Sequence, residues 1–367
     1  MKKINQIEPW INSKEANHIK KVINKTFLTE NEETKKFENN LNKKFKTKNC
    51  MAVSNWTAGI FMCLKLIGIK PGDEVIVPNL TFIATATPII WLGAKVVLCE
   101  VEKENLNLNL DHLEKLITKK TKCVIPVHLY GHCCDLDKLK KITDKNNINI
   151  IEDAAQALGA KFKNKYLGTI ANFGGFSFYG NKIITTGEGG VIFFKNKSLN
   201  KKLYALKNHG RETKGIFKHN TIGYNFMFTE MQAAIGNIQL TKLNKILLKK
   251  RKIFEYYKKN LIDIKEINFM KPLTNNKPVY WFTNIFINNK KNLKNFLYKN
   301  GIQTRDIFYP LNRQPCFKNI KNIKNKNYNF NISNYIYSSG MSLPSHYNLT
   351  KQDLKFIVNK IRKFYKK

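Results

Sequence analysis

Between positions 50 and 195 the chain repeats one rhythm: a short apolar, largely β-branched run, then a stretch with helical spacing. EVIVP (74–78), KVVLCEV (95–101), TKCVIPVHLYG (121–131) and INIIEDAA (148–155) show almost no polar alternation. Such strands have no face to offer to water. The sheet they form must be covered on both sides, and helices between successive strands supply that cover and favour parallel pairing. The rhythm predicts an α/β fold with a mainly parallel central sheet. Helices are predicted over 59–68 (GIFMCLKLIG), 81–93 (TFIATATPIIWLG) and 135–145 (DLDKLKKITDK). Another is predicted around 111–119, where Asp111-x-x-Glu114 resembles a capping box.

Past Phe194 the rhythm stops. Residues 201–225 read as irregular and polar, and a long helix follows from about Thr229 to Lys259. VYWFTNIFI (279–287) is strand-like, and 351–365 reads as a final helix. A large domain over 12–245 and a smaller C-terminal α+β domain over 246–367 are expected, with residues 1–11 packing on the smaller one.

The formal charge is +38, from 64 basic against 26 acidic residues, and only five of the basic residues are arginines. A nucleic-acid-binding protein is the reading of another class that this charge invites. Phosphate-backbone binders concentrate charge in a patch, often with arginine forks and stacking aromatics. Here lysines run from Lys2 to Lys367 and mix with asparagine throughout, as in NNKKNLKNFLYKN (288–300), so the bias is compositional and no nucleic-acid partner is expected. No apolar run reaches the roughly 18 residues of a membrane-spanning helix, and MKKINQIEPWINSKE offers no signal-peptide core. A cytoplasmic protein with no membrane partner is expected. Its seven cysteines fit buried reduced thiols. Cys133 and Cys134 beside His132 do not suggest a metal, because adjacent cysteines cannot easily share one tetrahedral ion.

There is no G-x-x-x-x-G-K-[ST], no G-x-G-x-x-G between strand and helix, and no G-x-S-x-G. Two other segments carry the chemistry. In IIEDAAQALGA (150–160) an apolar strand ends in Glu152 and Asp153, with Gln156 three residues on. A carboxylate there sits where open α/β sheets bind ligands. In FGGFSFYGNKIITTGEGGVIFF (173–194), Lys182 lies in a glycine-bounded loop without charged neighbours for several residues. Desolvation there would lower its pKa and make it a usable nucleophile and base. Taken singly, Asp153 reads as a helix cap and Lys182 as a turn lysine reaching solvent. Taken together they read as a site.

These segments resemble the DegT/DnrJ/EryC1/StrS aminotransferases, sugar-nucleotide enzymes that use pyridoxal 5′-phosphate (PLP) on the fold-type-I scaffold. The resemblance runs through VSNWTAGI (53–60), PGDEVIVPNLTFIATATPIIWLGAKVV (71–97), PVHLYG (126–131) and EDAAQALGA (152–160). It continues in FSFYGNKIITTGEGG (176–190), GYNFMFTEMQAAIGNIQL (223–240), TRDIFYPLNRQPCF (304–317) and SLPSHYNLTKQDL (342–354). It implies that Lys182 bonds covalently to PLP and moves the proton, and that Asp153 pairs with the pyridine nitrogen. It further implies that Gln156 contacts the cofactor's 3′-oxygen and that Phe82 stacks on its ring. Ser177 and Thr57 would bind the phosphate, and Asn225 would reach the phosphate of a neighbouring subunit, which implies a homodimer with shared active sites. Trp56 stands where many members have glycine, so it would wall the phosphate contact. Met227 and Asn312 depart from the family's frequent Arg and His. Relatives with His for the lysine dehydrate sugars, and Lys182 argues against that branch.

The implied reaction is amination at C4 of a nucleotide-linked 4-keto-6-deoxyhexose, foremost GDP-4-keto-6-deoxymannose, with L-glutamate as donor, for surface polysaccharide. The nearest alternative is C3 or C4 amination of a dTDP- or UDP-linked keto-sugar.

Overall fold

The computed structural model describes residues 3–213 and 215–365, so the extreme ends of the expected 1–11 and 246–367 segments lie outside the described residues. The strand–helix rhythm becomes β1 (Cys50–Val53), β2 (Glu74–Pro78), β3 (Lys95–Cys99), β4 (Thr121–Val124) and β5 (Asn149–Asp153). A small hairpin follows, β6 (Lys161–Phe162) and β7 (Lys165–Tyr166), and then β8 (Phe173–Ser177) and β9 (Gly190–Phe194). The C-terminal part adds β10 (Asn268–Phe269), β11 (Asn276–Lys277), β12 (Thr283–Phe286), β13 (Arg305–Asp306), β14 (Ile323–Lys324) and β15 (Gly340–Leu343).

Eight strands form one sheet in the order β1-β9-β8-β5-β4-β2-β3-β14. Pairing from β8 to β14 is parallel throughout, and β9 runs antiparallel to both β8 and β1. The mainly parallel α/β sheet expected from the sequence is what forms. Successive side chains on a strand face opposite ways, and the core divides accordingly. Val75 and Val77 pack with Trp56, Ile60 and Ile192, whereas Ile76 packs with Phe37, Phe45 and Leu243 on the other face. A second sheet, β10-β12-β15-β13, gathers its own cluster with Tyr257, Leu354 and Ile357, and Ile4 bridges to Ile302 beside it. The long helix Glu230–Leu261 crosses position 245 unbroken, capped by Thr229 and Gln232 in a reciprocal box.

Several local expectations need correction. The stretch 81–93 is not one helix but a 3₁₀ turn, Ile83–Thr85, followed by Thr87–Trp91, because Pro88 cannot donate the amide that would join them. The helix expected at 111–119 spans Leu110–Leu116, and its cap is Asn109, which accepts from the His112 amide at 2.7 Å. Asp111 instead pairs with Lys138 across the surface. The run 121–131 leaves the strand after Val124, just before Pro126. Residues 201–225 are not wholly irregular: Leu199–Lys207 is helical and buries Leu203 and Leu206. Six cysteines are buried and Cys316 is exposed.

Glu152, near the end of β5, ties the fold to the loop before β8. Its carboxylate accepts the amides of Gly168 (2.8 Å), Ile170 and Ala171 (2.6 Å each), and the His128 ring N–H at 2.9 Å. With its oxygens already accepting amides, the carboxylate leaves the imidazole the donor's part. Removing one member of such a buried set strands the others. Glu152→Ala is expected to cost about 3–5 kcal/mol in urea unfolding. Removing Asp144, the exposed partner of Lys140, is expected to cost about 0.5 kcal/mol or less.

Candidate active site

Four segments converge at the C-terminal end of β5: the start of helix Trp56–Ile67, the turn 82–85, the residues after β5, and the loop joining β8 to β9. Asp153 is the last residue of β5 and is buried. No helix follows it, so the capping role fails. Its Oδ1 accepts the Trp56 indole N–H at 2.9 Å and the Ala155 amide at 3.2 Å, and its Oδ2 accepts the Thr85 hydroxyl at 2.8 Å. Donors on both oxygens fix the plane of the carboxylate.

Lys182 sits half-buried in the β8–β9 loop, its amide bonded to the Tyr179 carbonyl. Its Nζ lies 4.5 Å from the centre of the Trp281 ring, which is anchored by its own indole bond to the Asn181 carbonyl at 2.8 Å. Burial lowers the amine to about 8, opposed by the Asp153 charge and assisted by Arg305. A neutral amine is thus accessible near neutral pH, beside a fixed carboxylate.

The other sequence candidates have the following local settings. Gln156 is buried and its Oε1 accepts the Tyr130 amide at 2.9 Å, so its NH₂ is the end left to donate to a ligand oxygen. Phe82 is 55% exposed, an unusual state for a phenyl ring and one that presents a face for stacking, with Phe308 at 6.0 Å behind it. Thr57 lies in the first turn of a helix whose cap, Asn55, accepts the Ala58 amide, a positive helix end suited to an anion. Ser177 ends β8 and its hydroxyl accepts the Tyr179 amide at 3.3 Å. Asn225 stands exposed on a segment stitched to residues 206–208.

Trp56 is the correction. Expected to wall the phosphate contact, its ring instead turns inward, 4% exposed, under Asp153. Three neighbours escaped the sequence reading: Thr85, Trp281 and Arg305. Thr85 was hidden in a stretch read as plain helix, and Trp281 comes from 99 positions along the chain in a segment read only as strand. Arg305 carried a faint signal, being one of five arginines among 64 basic residues.

An amine that can be neutral, a fixed carboxylate, an amide donor, an exposed aromatic face and hydroxyls near a helix N-terminus suit PLP end to end. A lysine loop set against the end of a parallel strand in a sheet of this order puts the chain among the fold-type-I PLP-dependent transferases. It belongs, within them, to the DegT/DnrJ/EryC1/StrS aminotransferase family, which it matches over residues 9–362, and is a PLP-dependent sugar aminotransferase. It is 33% identical to GDP-perosamine synthase of Escherichia coli O157:H7 over 369 residues, covering 100% of this chain and 99% of that enzyme. It is also 33% identical to GDP-perosamine synthase of Vibrio cholerae over 335 residues, 90% of each. In fold it matches the PLP form of the putative sugar aminotransferase Spr1654 from Streptococcus pneumoniae. That match has a TM-score of 0.94 at 24% identity, covering 100% of this chain and 99% of that one.

The lowered amine is measurable. In the apoprotein, labelling of Lys182 by trinitrobenzenesulfonate, followed by peptide mass spectrometry, should rise about tenfold from about pH 7 to about pH 9 and then level, since the neutral fraction saturates above the group's pKa. Surface lysines should go on gaining reactivity to higher pH. A Lys182 profile that levels only with theirs would contradict the site's electrostatics.

Proposed function

We propose that the chain aminates C4 of a nucleotide-linked 4-keto-6-deoxyhexose, with GDP-4-keto-6-deoxymannose as substrate and L-glutamate as donor, in the manner of a GDP-perosamine synthase. The observation that carries the chemical part is the Lys182 amine, lowered to about 8 and within the field of the fixed Asp153 carboxylate. The nucleotide and sugar rest on the two GDP-perosamine synthases matched over at least nine-tenths of the chain. Residues 12–245 form the cofactor-binding body in this reading, and 246–367 with 1–11 the smaller one. Asn225, exposed in the single chain, is assigned to the site of a second copy in a homodimer. Supply of an amino sugar for surface polysaccharide, in the cytoplasm, completes the assignment.

PLP, when bound, supplies an aldehyde that accepts an amino group and a ring that withdraws electrons from the carbon losing its proton. The chain's residues do the rest. Lys182, whose amine can be neutral, would hold the aldehyde, and its Nζ would carry the proton from one carbon to the other. Asp153, held on both oxygens, faces the ring nitrogen and stabilises positive charge there. Gln156 donates from its NH₂ to the ring oxygen, and Phe82 covers the ring face. Thr57 and Ser177 hold the phosphate. Across the two halves L-glutamate would become 2-oxoglutarate, its keto oxygen coming from one water. The nitrogen would pass to the sugar carbon as the ketone oxygen leaves as one water, so no water is gained or lost overall.

Lys182→Ala should abolish covalent capture of PLP and turnover, read by absorbance and product formation. Asp153→Asn should keep the fold and slow turnover at least about a hundredfold, since the ring loses its counter-charge; a small effect would reduce Asp153 to a structural group. A panel of GDP-, dTDP- and UDP-linked keto-sugars with glutamate tests the substrate. Turnover confined to a dTDP or UDP sugar, or amination at C3, would overturn the assignment and favour the alternative substrates.

A further inference from the structure

The indole of Trp56 is spent on one partner. Its N–H donates to Asp153 Oδ1 at 2.9 Å in a buried environment, and the ring is enclosed where water does not reach. The surrounding backbone is shaped to admit it. A Cβ at Gly59 would stand 2.5 Å from the Trp56 ring, and one at Gly175 would stand 2.2 Å from it. Neither glycine has a left-handed backbone, so conformation does not demand glycine at either place. At 59 the ring demands it; at 175 the ring and the Val191 carbonyl do so together. The opposite oxygen of Asp153 is held by Thr85, itself 3.1 Å from the Thr81 hydroxyl. The carboxylate is therefore clamped between a large rigid donor on one side and a hydroxyl relay on the other.

We propose that Trp56 is a positioning residue for the reaction, its indole N–H aiming the Asp153 carboxylate at the cofactor's ring nitrogen. This rests on the reading that Asp153 faces that nitrogen. A hydrogen bond to a charged oxygen is among the stronger ones, and a bicyclic ring walled by two glycines has a single orientation to give it. The Trp56 indole thus acts on the chemistry through Asp153. A phenyl ring could fill part of the same space but could not donate, so the two functions of the side chain, filling and aiming, are separable.

The separation is the test. Trp56 is replaced with β-(3-benzothienyl)alanine, which keeps the bicyclic shape and has no N–H, and Trp56→Phe serves as the simpler companion. Binding of PLP to each apoprotein is compared with binding of 1-deaza-PLP, which has carbon in place of the ring nitrogen, by calorimetry. The benzothienyl variant should bind PLP about tenfold more weakly than wild type, the worth of one charge-assisted hydrogen bond, and the deaza analogue equally well. Its melting temperature should fall by no more than a few degrees, as for the loss of one buried hydrogen bond with the packing kept, and its half-reaction with L-glutamate should slow. Unchanged PLP affinity, or equal weakening toward both compounds, would show Trp56 to be filler and overturn the proposal. Asp153→Asn with the same two compounds tests the underlying reading by itself: if it too fails to distinguish PLP from its deaza analogue, Asp153 does not face the ring nitrogen. If it distinguishes them while the benzothienyl variant does not, only the role of Trp56 falls.

Discussion

Burying a carboxylate and an amine at the end of a central strand is costly unless each is held. Here the holding is asymmetric. Asp153 has donors on both oxygens, so it is rigid and well satisfied. Lys182 is desolvated by burial, which leaves its amine easy to neutralise, and its Nζ lies over the Trp281 ring. The parallel sheet makes this possible, because its strand ends open onto loops while its faces are sealed by two separate cores.

The strand's two-residue period divides labour between neighbours. Glu152 and Asp153 are adjacent, so their side chains leave β5 on opposite faces. Glu152 collects three amides and an imidazole and fixes the loop leading into β8. Asp153 faces the other way, toward Trp56 and Thr85. One carboxylate holds the frame in which the other works, and β8 in turn leads to the Lys182 loop. A shift of register by one residue would exchange the two roles.

The sequence carried the sheet and the long helix because these are written in local pattern, unbroken apolar runs and a helical stretch from Thr229 to Lys259, and it set Asp153 at a strand end and Lys182 in an uncharged loop. What it concealed was set by contacts between distant segments. Pro88 divides 81–93 according to which amides must pair, and Asn109, two residues before Asp111, takes the cap. Helix Leu199–Lys207 looked irregular because Asn200, Lys201 and Lys202 make its start polar, and only the burial of Leu203 and Leu206 reveals the face. The inward turn of Trp56 is the clearest case. Nothing beside it in the chain says that Gly175, more than a hundred residues away, yields room for its ring.

The lysine bias makes a final point about identifying a nucleophile. Burial lowers Lys250 further than Lys182, to about 7, yet Lys250 donates to the carbonyls of Trp281 and Ser345 at 2.8 Å each and so joins the long helix to the second sheet. Lys207 is fully buried as well, but it is paired with Glu30 and the Ala52 carbonyl. Lys242 is paired with Glu15. Each of these amines is directed at protein oxygens, and their depth in the fold serves packing. Lys182 lies over an aromatic face, within the field of a clamped carboxylate. A lowered pKa is shared by structural and reactive lysines alike. The surroundings of the amine, ligand-like on one side and apolar on the other, separate them.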